Sequence, residues 1–215
     1  MGAGFELFFT ALETEWPANR TLNLVFHGHS VPAGYHRTPE VKPFRSYPHL
    51  VHAALKKDFP VAVVNCIVTA IGGENSIAGA KRFECDVLSH RPDVLFIDYA
   101  LNDRREPLEA VEKAWRSMIE KAVNIPLVLV TPTGAEDVLY GAADEPLVCL
   151  AAMIRRLGDE YGVRVADVYA KWEKFVLDGS DQATLLSQIN HPNFAGHKLA
   201  AEVIYDTLLL SSQTS

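Results

Sequence analysis

Cysteine is scarce in this chain: Cys66, Cys85 and Cys149 are the only three in 215 residues. They are too few for a disulfide framework and lack the paired spacing of a zinc site, so reduced thiols in a cytoplasmic setting are the expectation. Positive charge is also short. Twenty Lys and Arg stand against 27 Asp and Glu, a formal charge of −7. With no basic run, a nucleic-acid or anionic-membrane partner is disfavoured. Uncharged stretches such as Phe59 to Gly73 are too short and too polar to span a bilayer. No Lys or Arg precedes Arg20, while Glu6, Glu13 and Glu15 do, so the N-terminus does not read as a secretory signal. Repeats and linkers are absent as well. What is present is 48% apolar and 22% charged residues, enough to build one full core.

The apolar periodicities alternate along the chain. Leu22 to Phe26 is a short apolar run that exits into a Gly- and His-rich turn, as a buried strand does. Val61 to Val68 is β-branched and nearly continuous, the pattern of a strand covered on both faces. Val94 to Tyr99, Pro126 to Val130 and Val163 to Val168 read as three further strands. Helical stripes fall between them, at Tyr47 to Phe59, from Gly73 to about Ser89, Pro107 to Val123 and Glu145 to Tyr161. A helix near Tyr169 to Leu177, a polar loop and a last helix from Asn193 to about Leu210 complete the chain.

Five strands alternating with helices imply an α/β protein, a three-layer α/β/α sandwich around a five-stranded parallel sheet. Right-handed crossovers favour the flavodoxin-like order 2-1-3-4-5. Residues 22–215 form the single expected domain. Residues 1–21 stand apart as an amphipathic extension, with Phe5, Phe8, Phe9, Leu12 and Trp16 in an apolar stripe. That stripe fits a cap on the sheet and a homodimer contact equally.

In an open α/β sheet, ligands bind beyond the C-terminal strand ends where the strand order reverses, here between strands one and three. Past strand one comes His27-Gly28-His29-Ser30; past strand two, Gly72-Gly73-Glu74-Asn75; past strand three, Asn102-Asp103. The loop before the last helix supplies His191-Pro192-Asn193. Acyl transfer needs a nucleophile, a base and donors aimed at a developing oxyanion. Ser30, His191, the Gly73 N–H and the Asn102 amide are groups of those kinds on one rim.

In order and relative spacing these four blocks resemble the SGNH hydrolases, also called GDSL esterases and lipases, from Leu22 to Leu210. The resemblance implies that Ser30 is the nucleophile and His191 the base. The Ser30 N–H, the Gly73 N–H and Asn102 would form the oxyanion hole. It further implies a serine esterase working through an acyl-enzyme, with a small-molecule ester as partner and neither metal nor organic cofactor. The family acts on acetylated carbohydrates, lysophospholipids, thioesters and simple esters.

The chain departs from the family pattern twice. The Asp of the Gly-Asp-Ser block is His29, and the position three before the base, where the catalytic acid belongs, is Gln188. Gln188 is the candidate for orienting the base, alongside a loop carbonyl or a relocated Asp178 or Asp181. Within the segment from Gly34 to Tyr47, Tyr35, Phe44 and Arg45 are candidates for substrate contact, on bulk that favours short acyl groups. Asp98 is a carboxylate inside an apolar strand and needs a partner if buried, for which His29 is the candidate. Two other readings stand beside the esterase. One is a non-catalytic sugar- or acyl-binding module of the same fold. The other is a metal-dependent hydrolase using His27, His29 and His191, disfavoured because alternate strand residues point to opposite faces.

Overall fold

The computed structural model describes residues 2–210; the outer ends of the two expected segments, residue 1 and residues 211–215, lie outside the described residues. The chain runs α1 (Gly2–Glu13), β1 (Thr21–Gly28), α2 (Ser30–Ala33), α3 (Tyr47–Asp58), β2 (Val63–Val68), α4 (Ser76–Asp86) and β3 (Val94–Asp98). It continues with α5 (Ala100–Asp103), α6 (Leu108–Lys121), β4 (Leu127–Val130), α7 (Pro146–Tyr161), β5 (Arg164–Ala166) and α8 (Val168–Leu177). A short pair, β6 (Leu186–Gln188) and β7 (His191–Pro192), precedes α9 (Phe194–Leu209). The five-stranded sheet is parallel throughout in the order β2-β1-β3-β4-β5. Helices α3, α8 and α9 pack together in one layer, and α4, α6 and α7 in the other.

Local chemistry accounts for the elements. Every residue of β3 and β4 is buried, as the apolar runs Val94–Ile97 and Leu127–Val130 require of central strands, and Asp98 is buried with them. In α6, Val111, Ala114, Trp115, Met118 and Ile119 fall at helical spacing on the buried face. Asn75, Asp167 and Asn193 cap α4, α8 and α9 through their side-chain oxygens. Gly162, at φ 60°, stops α7. The strand read at residues 61–68 is shorter and less buried than its pattern suggests. It lies at the sheet edge, where Val63 stays 47% exposed, because its β-branched run records strand propensity and not depth.

α1 joins the same core as the sheet through Phe5, Phe8 and Leu12. The Arg164 guanidinium lies over the Phe5 ring at 3.5 Å, and Phe9 packs on Phe59 at 6.3 Å. Arg164 opens β5, and Gly4 sits against Pro126 just ahead of β4. The helix therefore closes the N-terminal end of the sheet and leaves the C-terminal rim open. Among the described residues, no helix is long and apolar enough to cross a membrane.

Candidate active site

The first strand delivers its residues to the rim through a contact only glycine permits. A Cβ on Gly28 would lie 2.3 Å from the Asp98 carbonyl oxygen and 2.8 Å from Pro32. His29 then caps the single turn of α2, its Nδ1 accepting the Val31 N–H at 3.2 Å. Ser30 opens that turn, almost wholly buried, and Gly34 at φ 89° ends it.

Ser30 Oγ lies 3.1 Å from His191 Nε2, within reach for proton transfer. The other ring nitrogen, His191 Nδ1, is 3.1 Å from the His36 backbone oxygen. A carbonyl only accepts, so in the neutral ring Nδ1 carries the proton and donates it there. The Nε2 lone pair is thereby left facing the Ser30 hydroxyl. Burial lowers the His191 pKa, against a smaller upward pull from the His36 carbonyl. That shift favours the neutral ring, the form a general base would need.

The loops after β2 and β3 are fastened to each other. Ile71 N–H donates to the Gly28 carbonyl at 3.0 Å, and Gly73 takes φ 80°, a left-handed conformation that favours glycine. Asn102 Nδ2 donates to the Glu74 carbonyl at 2.9 Å, which fixes the amide and leaves its second hydrogen available. Below it Asp103 is fully buried, accepting from Ser76 N–H at 2.7 Å and Trp115 Nε1 at 2.9 Å. Burial pushes the Asp103 pKa up, and those donors oppose the shift.

The Glu74 side chain is clamped as firmly as its carbonyl. Arg82 Nε donates to it at 2.8 Å and the Tyr99 hydroxyl at 2.7 Å. Burial alone would raise the Glu74 pKa, but these bonds outweigh it and hold the carboxyl low. Tyr99 also meets His27 Nε2 at 3.0 Å. Burial, reinforced by the Arg82 charge, pushes His27 down to about 4. A polar network thus sits behind the Gly72-Gly73 turn and holds it.

Residues 26–199 match the GDSL-like Lipase/Acylhydrolase family. The chain belongs to that family. Among solved structures it is similar to a two-domain esterase (CEX) active on acetylated mannans, at 25% identity and a TM-score of 0.76. That match covers 98% of this chain and 54% of the other, so this chain spans about half the length of the mannan esterase. It is also similar to Axe2, an acetylxylan esterase from Geobacillus stearothermophilus, at 20% identity and a TM-score of 0.73, covering 88% and 94% of the two chains. At that identity the likeness shows the fold. No curated protein sequence matches the chain.

Gln188 and His29 both make their hydrogen bonds away from His191. Gln188 Oε1 accepts the Thr38 N–H at 2.8 Å and does not address the base. It steadies the segment whose His36 carbonyl orients His191. Asp178 pairs with Lys174 at 2.8 Å and Asp181 Oδ1 accepts from Ala183 N–H at 2.9 Å, so neither turns toward the ring. His29 Nε2 lies 3.3 Å from Asp98 Oδ1, both groups almost wholly buried. The pair is close but poorly aligned as a hydrogen bond, whereas Tyr47 donates squarely to Asp98 Oδ2 at 2.9 Å.

His27 spends its ring on Thr69, Gly79 and Tyr99, apart from Ser30 and His191. No group of three His, Cys, Asp or Glu suited to a metal ion occurs among the described residues. Tyr35 stands 5.9 Å from the His191 ring, centroid to centroid, and against Gly72, where a Cβ would come within 2.7 Å of its ring. Phe44 is 80% exposed, against His49. Arg45 lies over Phe194 at 5.6 Å, lining a separate cavity.

The loop from Gly134 to Glu145 bridges two blocks of the site. Glu136 N–H donates to the Ile189 carbonyl at 2.8 Å, and Asp137 pairs with Arg104 at 2.7 Å. Of the candidates for holding the His191 ring, a main-chain carbonyl is the kind of group found, but it comes from His36 and not from the loop that carries His191. A backbone carbonyl leaves no side-chain signal. The hairpin that carries His191 was read as loop, because strands of three and two residues are too short to show periodicity.

Proposed function

We propose that the protein is a serine esterase that removes short acyl groups, acetyl foremost, from carbohydrate esters through an acyl-enzyme on Ser30. The observation that carries this reading is the Ser30–His191 contact at 3.1 Å with the base held in the productive tautomer by the His36 carbonyl. His191 Nε2 takes the Ser30 proton as Oγ attacks the ester carbonyl. The Ser30 N–H, the Gly73 N–H and the second hydrogen of Asn102 Nδ2 receive the oxyanion. His191 then returns the proton to the leaving alcohol, and activates the water that frees the acyl group from Ser30.

The acyl preference is supported by the Tyr35 ring, which fills the space beside Gly72 and His191. The carbohydrate preference is supported by similarity to the esterase active on acetylated mannans. The base works as a dyad with a neutral orienting contact, so the imidazolium of the transition state receives less stabilisation than a carboxylate would provide.

A panel of p-nitrophenyl esters from acetate to palmitate, with acetylated mannan and xylan alongside, tests the reading. Acetate is expected to be cleaved fastest, with activity lost in Ser30→Ala. A fluorophosphonate probe is expected to label the wild type and not Ser30→Ala. No turnover and no labelling would instead make the fold a binding module.

A further inference from the structure

A cavity of about 410 Å³ opens between the segment that follows α2 and the first turn of α9, behind the catalytic base. His36 belongs to both places: its carbonyl holds His191, and the residue lines the cavity. Lys42, Arg45 and His197 line it too, and no acidic residue does. The first turn of α9 contributes little positive potential of its own, because Asn193 already accepts from the Ala195 and Gly196 N–H groups. The cavity's character comes from its side chains.

His197 is 3% exposed, and its Nδ1 accepts the Tyr47 N–H at 3.3 Å. The proton of the neutral ring therefore sits on Nε2, on a residue that lines the cavity. Burial pushes the ring's pKa down to about 3, so it stays neutral and acts as a fixed donor. Glu40 engages Lys42 at 3.0 Å and His36 at 3.4 Å. Arg45 has no carboxylate partner among the described residues, and its planar fork matches a carboxylate bidentately.

We propose that this cavity binds a carboxylate on a sugar-sized scaffold, with Arg45 as the charged clamp and His197 Nε2–H as a neutral donor in the cavity wall. The volume lies within the ordinary range for small-ligand sites. The carboxylate is either free or an acidic substituent of the ester substrate. The substrate-borne form rests on the esterase reading, and binding of the free carboxylate does not.

Calorimetric titration of Ser30→Ala protein with glucuronate, and with glucose as neutral control, tests the site. Saturable binding of glucuronate alone is expected, weakened about tenfold or more by Arg45→Gln, as loss of a charge-assisted hydrogen bond implies. Arg45 is exposed, so its variant is expected to fold with an unchanged Tm. No saturable binding, equal binding of glucose, or an unaltered Kd in Arg45→Gln overturns the proposal. The source of the carboxylate is read from kcat/KM for acetylated methyl glucuronoside against acetylated methyl glucoside. A preference for the acid that vanishes in Arg45→Gln assigns the carboxylate to the substrate; equal rates with binding intact assign it to a free anion. Hydrolysis of neither ester with binding intact defeats the esterase reading and leaves the site standing.

Discussion

His191 Nδ1–H donates a hydrogen bond to the His36 carbonyl at 3.1 Å, so a neutral main-chain group holds the ring. Burial holds the ring's pKa below its ordinary 6.5. The base is active when unprotonated, so activity is present above that pKa and lost as pH falls through it. The acid limb of kcat/KM is expected to have its midpoint below pH 6.5. A pH–rate profile with a midpoint above that value would contradict the assigned environment.

Asn102 donates one amide hydrogen to the Glu74 carbonyl, and the proposed mechanism uses the other on an oxyanion. Asn102→Ala is expected to lower kcat by about a hundredfold or more, the usual cost of one preorganised donor. Rates within a few-fold of wild type would reduce Asn102 to a loop fastener.

Gln188→Ala removes the acceptor for the Thr38 N–H and touches the base only through that segment. Its kcat/KM is expected to fall far less than that of His191→Ala. Asp178→Asn and Asp181→Asn are expected to stay within a few-fold of wild type, since both carboxylates are committed locally. Loss of activity in either Asp variant as complete as in His191→Ala would identify a relocated acid.

His29 and Asp98 face each other out of solvent, and the pair sits beside the nucleophile turn. His29→Asp would bury two carboxylates side by side and is expected to lower Tm and kcat together. Adding Asp98→Asn removes the second charge and is expected to recover much of both, since contacting residues are not additive. Equal Tm for the single and double variants would show that the two groups are uncoupled.

Two buried imidazoles tie stability to pH. His27 is pushed down to about 4 and His197 to about 3, each from 6.5. The unfolded chain binds more protons between those values, so their contribution is present above pH 6.5 and lost as pH falls toward 3. The urea midpoint is expected to drop between pH 7 and 5, less so in His27→Gln than in wild type. Parallel pH dependences in the two proteins would exclude His27 as a source.

The alternation of apolar runs and helical stripes was enough to set the fold, because each central strand had to carry a nearly continuous apolar run and each helix an apolar stripe on one face. The four blocks were legible for a similar reason. Ser30, Gly73 and Asn102 follow the ends of β1, β2 and β3, which the sheet order sets side by side, whereas His191 comes from the hairpin before α9 and meets Ser30 only through the tertiary fold. What orients the base was not legible. A carbonyl 155 residues away in sequence performs it, and every residue carries one. The depth of β2 was equally hidden, since edge and centre ask for the same β-branched residues. The burial of His29, Asp98 and Tyr47 as one cluster depended on β1, β3 and α3 meeting, and only close packing of those three elements decided it.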